Sequence, residues 1–310
     1  MSDGAEGSRE ARYPPKRVTR GVIRAVQRSI QHLWVPHGFR RRFLDRAARL
    51  SPLPKGARVT GQSLGGVPGR RFELGDADPD RAVLYLHGGS FVTGSSVSHR
   101  ALTSRLAGEA GCAVHSLDYR LAPEHPYPAA LEDAGSALAA LVASGLAPER
   151  IVVAGDSAGG WLALALAVRL RDGGEPLPAG LALICPFLDM TLSGETLETN
   201  SRRDIGLRAD WLRSTRPLFF TDESQDPLEL TPARGELGGL PPIHLQTASD
   251  DVLRSDAELL RDRAQEQGAP LEFRCWEDVW HDFQALAGSL READEALDEL
   301  GRFVREATAA

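Results

Sequence analysis

The strongest constraint on the fold is an alternation that begins near residue 67, where short apolar segments take turns with amphipathic stretches of helical length. Segments 82–86, 112–117, 151–154, 181–184, 243–246 and 271–273 are short and largely apolar, as strands of a mostly buried sheet must be. The intervening stretches 98–110, 128–144 and 157–171 are long enough for crossover helices, which argues for an α/β fold with a mostly parallel central sheet. A last helix is expected to lay Leu286, Leu290, Ala293, Leu297, Leu300 and Val304 on one stripe against that sheet. With 310 residues, 42% of them hydrophobic, the chain can bury one large core, so a single domain over 1–310 is expected.

Two regions depart from this rhythm. Residues 1–17 are polar and close on Pro14-Pro15, which reads as a loose arm. Val22, Val26, Ile30 and Leu33 then recur at helical spacing, Pro36-His37-Gly38 interrupts, and Phe39, Phe43, Ala47 and Leu50 resume it. Two short helices are therefore expected before the first strand, and their many arginines read as a solvated polar face rather than a membrane-surface helix. Residues 187–235 are rich in Thr, Ser and acidic side chains, with an apolar patch at 218–220. A connection of that length is usually a functional insertion. It is expected to join residues 18–50 in a helical cap.

The formal charge of −7 and pI near 5.7 supply no electrostatic footprint for nucleic acid. Cys112, Cys185 and Cys275 are odd in number and widely spaced, so neither a disulfide framework nor a zinc site is indicated, and they read as small buried hydrophobes. No apolar signal segment opens the chain and no run approaches a membrane span, so a cytoplasmic protein without stable membrane association is expected. A homodimer is left open.

Chemistry enters with the pattern G-x-S-x-G, which occurs twice, around Ser63 and around Ser157. A nucleophile elbow needs a strand, a sharp turn and a helix, so that the hydroxyl stands exposed at a helix N-terminus. Ser157 follows the strand 151–154 and precedes the helical run from Trp161. Ser63 sits among Gly61, Gly65, Gly66 and Pro68, and reads as a turn before an early strand. A serine nucleophile also needs a base, and the base needs a carboxylate to hold its tautomer. Only His244 and His281 follow Ser157. His244 falls inside a strand, whereas His281 lies in the loop before the last helix. Asp250 and Asp251 lie at the carboxyl end of the strand 243–247, where ligands bind in such sheets. Ser255 with Glu258 suggests a capping box starting a helix near Asp256, which explains Asp256 and Glu258 as first-turn carboxylates. Asp282, beside His281, is a third choice of acid. The glycines of His87-Gly88-Gly89-Ser90-Phe91 let backbone N–H groups approach an oxyanion, with His87 holding the loop.

HGGSF at 87–91, DYRLAPEHPYPA at 118–129 and GDSAGG at 155–160, in that order, resemble the hormone-sensitive-lipase-like branch of the α/β-hydrolases, which includes many bacterial esterases. The similarity spans roughly residues 80–305. It implies an α/β-hydrolase fold and a cofactor-free serine hydrolase acting on a small-molecule carboxylic ester of short to medium acyl chain, with Ser157 as nucleophile and His281 as base. It assigns the oxyanion donors to Gly88 and Gly89, joined by Ala158, and treats 118–129, including Arg120, Glu124 and His125, as structural. Asp251-Val252-Leu253-Arg254 resembles the family's Asp-Pro-Leu-Arg, which favours Asp251 as the acid and leaves Asp250 as the alternative. Two departures stand out: Ser90 replaces the usual third glycine of the oxyanion loop, and Val252 replaces the proline. Lactone opening, removal of acetyl groups from esters or amides, and a non-catalytic binder of the same fold are the competing readings.

Overall fold

Strands buried on both faces need helices on both sides, and the core of this chain divides accordingly. The computed structural model describes residues 13–31, 35–221 and 231–309. Eight strands form one sheet in the order β1-β2-β4-β3-β5-β6-β7-β8. They are β1 (Arg58–Leu64), β2 (Val67–Glu73), β3 (Asp78–Leu86), β4 (Cys112–Leu117), β5 (Ile151–Asp156), β6 (Gly180–Ile184), β7 (Ile243–Ala248) and β8 (Leu271–Trp276). The six from β3 to β8 run parallel, while β1 and β2 join as an antiparallel hairpin at one edge.

The helices, numbered along the described residues, are α1 (Lys16–Ile30), α2 (His37–Leu50), α3 (Arg100–Ala110), α4 (Ala129–Ala143), α5 (Ala158–Asp172), α6 (Thr196–Thr199), α7 (Ala209–Phe219), α8 (Arg254–Gln267) and α9 (Arg291–Ala307). On one face Leu138 of α4, Leu162 and Leu166 of α5 and Leu260 of α8 pack against Leu84, Val153 and Leu183. On the other, Leu102 and Leu106 of α3 and Leu297, Leu300 and Val304 of α9 cover Val83, Val152 and Ala182. The stripe expected on the last helix is present, except that Leu286 sits in a preceding 3₁₀ turn and Leu290 flanks the helix.

Two expectations need correction. Ser63 lies within β1, paired with Pro68, and the turn falls one step later at Gly65-Gly66, whose φ values of 58° and 86° suit a tight hairpin. β1 is largely exposed, so its residues lack the apolar signal of a buried strand. The helix expected near Asp256 begins at Arg254 without a capping box, because the Ser255 hydroxyl turns to Thr196. The valines and phenylalanines of α1 and α2 do not pack: Val22, Val26, Phe39, Phe43 and Leu50 are exposed. Leu33, the side chain of Ile30, residues 1–12 of the expected arm and residues 222–230 of the insertion lie outside the described residues.

Candidate active site

Parallel strands deliver their carboxyl ends to one edge of the sheet, and four of them lead into the candidate site residues. β3 runs into His87, β5 into Ser157, β7 into Asp250 and Asp251, and the segment after β8 into His281. Ser157 is held at φ 51°, ψ −117°, a left-handed conformation that costs an L-residue roughly 1–2 kcal/mol and persists only where the surroundings enforce it. They do so here: Ser157 N–H donates to Ile184 O at 2.9 Å, and its carbonyl accepts from Gly160 and Phe187 at 3.0 Å. The glycines at 155 and 159 are required by close approach, since a Cβ on Gly155 would strike the Gly159 backbone and one on Gly159 the Leu86 carbonyl. Ala158 opens α5 at its first helical position, where an N–H has no intrahelical acceptor.

Ser157, His281, Gly88 and Gly89 border one pocket of about 240 Å³, walled by Ile23 of α1, Arg40 and Leu44 of α2, Leu207, Trp211 of α7 and Trp280. Asp251 is fully buried, and its carboxylate meets His281 Nδ1 at 3.0 and 3.1 Å while also accepting Leu253 N–H at 2.8 Å. Asp250 points elsewhere, into ion pairs with Arg20 at 2.7 Å and Arg203 at 2.6 Å. The Asp251 loop is fastened by side chains the sequence did not single out. Asn200 donates to the carbonyls of Ser249 and Asp251, and Asp204 accepts from the N–H groups of Val252, Gly206 and Leu207. Burial and the nearby Asp251 charge push the Asp204 carboxyl up to about 7.

Asp282 adopts φ 53° and brings its carboxylate to 3.0 Å from His281 Nε2, so the imidazole sits between two carboxylates. Burial opposes charge on His281, but Asp251 and Asp282 outweigh it and raise its pKa well above the usual 6.5. Burial in turn lifts Asp282 to about 6 against the pull of His281. Asp282 is thus placed at the opposite nitrogen from the one a triad acid would hold.

The 87–91 loop is pinned from several sides. His87 is fully buried, with Nδ1 2.8 Å from Gly88 O, and its ring stacks on Tyr119 at 4.2 Å, whose hydroxyl donates to His87 O. Burial drives the His87 pKa down to about 3, so it is neutral. His99, unnoticed in the sequence, meets Asp156 at 3.1 Å; burial disfavours its charge, yet Asp156 holds it up at about 9. Ser90 stands at φ 54°, and its hydroxyl accepts a 3.0 Å hydrogen bond from Trp211 Nε1 of α7, both side chains being buried. Phe91 stacks on Phe219 at 3.7 Å, so the apolar patch at 218–220 seats the end of α7 on this loop. The 118–129 segment is fastened to its neighbours, with Arg120 gripping Asp133 of α4 and Arg41 of α2 gripping Glu124.

One trio among the described residues, Cys185, Asp251 and His281, brings ligand-type atoms within 4.8 Å of one another. Its donors are committed otherwise: burial raises the Cys185 thiol well above its usual pKa, so it is no thiolate, and Asp251 is occupied by His281 and Leu253. His244 is a fully buried strand residue paired with Glu272. Cys112 and Cys185 are buried and Cys275 partly so.

The α/β-hydrolase-fold family profile matches residues 83–285, about two thirds of the chain. The protein belongs to the α/β-hydrolases. Within this family, an esterase of Acinetobacter venetianus is 34% identical over 287 residues, covering 92% of this chain and 94% of that protein. An acetyl-hydrolase of Streptomyces hygroscopicus is 42% identical over 229 residues, covering 74% of this chain and 76% of its own. A crystal structure of an esterase from the bacterial hormone-sensitive lipase family superposes with a TM-score of 0.88 at 34% identity, covering 93% of this hydrolase and 98% of that chain. The resemblance read from 87–91, 118–129 and 155–160 therefore holds along nearly the whole chain, and places this α/β-hydrolase in the hormone-sensitive-lipase-like branch.

Proposed function

We propose that this α/β-hydrolase cleaves carboxylic esters through an acyl-enzyme, with Ser157 as nucleophile, His281 as general base and acid, and Asp251 orienting His281. The observation that carries the reading is the Asp251–His281 contact at Nδ1, in a pocket shared with a serine held on a strained strand-helix turn. With Nδ1–H fixed by Asp251, Nε2 is the atom that takes the Ser157 proton as its oxygen attacks the carbonyl, and returns it to the leaving alcohol. Before that step Nε2 must leave Asp282 for the serine hydroxyl, an adjustment substrate binding would drive. The N–H groups of Gly88, Gly89 and Ala158 are assigned to the oxyanion. Water then attacks the acyl-enzyme with His281 again as base.

A pocket of about 240 Å³, below the roughly 300–1,000 Å³ of drug-sized ligand sites, favours short acyl groups. The acetyl-hydrolase relatives fit the same size argument, so acetyl esters are the second reading. Ser157→Ala should fold normally and lose kcat by at least about a thousandfold, with loss of labelling by a fluorophosphonate. Asp251→Asn should lose nearly as much, while Asp250→Asn keeps turnover on a short ester. Retained hydrolysis in Ser157→Ala, or loss in Asp250→Asn with retention in Asp251→Asn, overturns the assignment. Rates on esters of rising acyl length, a lactone and an acetamide distinguish the substrate classes, and hydrolysis of the acetamide alone would refute an esterase.

A further inference from the structure

Charge in this chain is unevenly distributed. Residues 16–50 hold ten Lys and Arg against one acid, Asp45, a formal +9 on a chain whose total is −7. Lys16, Arg20 and Arg41 are ion-paired with Asp278, Asp250 and Glu124, so the outward charge rests on Arg17, Arg24, Arg42, Arg46 and Arg49. Apolar exposure is concentrated on the same helices: of the eight exposed large hydrophobics among the described residues, Val18, Val22, Val26, Phe39, Phe43 and Leu50 lie on α1 and α2. Phe39, Phe43 and Leu50 recur four and seven residues apart, on one side of α2, and Arg42, Arg46 and Arg49 flank them, all exposed. Val18, Val22 and Val26 repeat the pattern on α1, with Arg17 and Arg24 exposed beside them. The same two helices turn Ile23, Gln27, Arg40 and Leu44 into the pocket.

We propose that the outward faces of α1 and α2 form a peripheral docking surface for an anionic lipid bilayer, on the two helices whose other side chains line the pocket. The occupant follows from the chemistry. Exposed aliphatic and phenyl side chains gain by entering the acyl boundary, and guanidinium groups beside them gain from anionic headgroups, so one surface satisfies both. A nucleic acid would use the arginines but leave the valines and phenylalanines in water. A second copy of this chain would set the exposed Arg42, Arg46 and Arg49 of one copy against the same arginines of the other. No helix among the described residues is long and apolar enough to cross a membrane, so the contact is peripheral. The arginine-rich helices, which the sequence suggested were merely solvated, carry their apolar stripe on the outside.

The full-length protein should co-float with vesicles of phosphatidylglycerol and phosphatidylcholine in equal parts, and much less with phosphatidylcholine alone, binding that weakens as salt rises. Arg42→Glu/Arg46→Glu should lower partitioning into the anionic vesicles by about twentyfold or more. Phe39→Ser/Phe43→Ser should lower it comparably, with both variants keeping the wild-type circular dichroism and wild-type hydrolysis of a water-soluble ester. The floating assay needs no turnover, so it stands apart from the esterase reading. Absence of binding to the anionic vesicles, equal binding to both vesicle types, or variants that bind like wild type would overturn the proposal. So would tighter binding to a duplex oligonucleotide than to the vesicles. A concentration-dependent dimer in sedimentation velocity that Phe39→Ser/Phe43→Ser abolishes, without vesicle binding, would make the face a self-interface instead.

Discussion

Ser90 offers two opposing terms that a pair of substitutions separates. Its hydroxyl accepts the Trp211 Nε1–H bond in a buried setting, and its backbone sits at φ 54°. Ser90→Ala removes the acceptor, stranding a buried indole N–H at a cost of about 1–3 kcal/mol, and retains the left-handed penalty. Ser90→Gly strands the same N–H but releases that penalty, roughly 1–2 kcal/mol, offset by the greater freedom glycine has when unfolded, about 0.5–1 kcal/mol. The glycine variant should therefore be more stable than the alanine variant by about 0.5–1 kcal/mol, although it is the smaller side chain. Urea unfolding followed by circular dichroism measures both against the parent, with Trp211→Phe and the double variant Ser90→Ala/Trp211→Phe closing a cycle. A coupling near 1 kcal/mol is expected. If glycine proves less stable than alanine, or the double variant is additive, Ser90 is not a strained latch between the 87–91 loop and α7. All the variants keep the backbone N–H groups of Gly88 and Gly89, so kcat on a short ester should fall far less than in Ser157→Ala.

Two further outcomes follow from the charges around His281 and α8. His281 must be neutral to accept a proton, and since its pKa is raised, kcat/KM should fall as pH drops through a value above the ordinary imidazole range. Asp282→Asn removes one of the two carboxylates that hold the proton, so the acid limb should move to lower pH; a limb that stays put or moves up would refute the pairing at Nε2. Asp256 accepts the N–H groups of both Leu188 and Asp189 at 2.8 Å, so Asp256→Ala should cost about 3 kcal/mol in urea unfolding by orphaning two buried donors, whereas a surface carboxylate of a first turn would cost well under 1.

The parallel sheet was legible because strands covered on both faces leave continuous apolar runs; β4 occupies the expected residues, 112–117. The β1–β2 hairpin was not, since an exposed edge strand such as Arg58–Leu64 has no such run. Motif and chain order brought Ser157 and His281 to attention, and both border the pocket. Asp250 and Asp251 could not be separated by spacing, because both leave the same strand end. What separates them in space is Arg20 and Arg203, supplied from distant segments, which draw Asp250 away. Asp256 looked like a helix-dipole carboxylate because first-turn position is visible in sequence, while the loop it grips, 188–189, is not. Asp282 was visible only as a neighbour of His281; its left-handed backbone, which turns it onto Nε2, has no sequence signature in a non-glycine residue.

Val252, where the related pattern has proline, donates its N–H to Asp204 Oδ2 at 3.0 Å, and a proline has no N–H to give. Positions 204 and 252 are therefore coupled physically in this chain. A proline at 252 would leave a buried carboxylate short of one donor beside Asp251, a cost that a neutral side chain at 204 would reduce. Transplanting Asp-Pro-Leu-Arg into this chain would thus be harmful alone and mild in company with Asp204→Asn, so the two residues have to be exchanged as a unit.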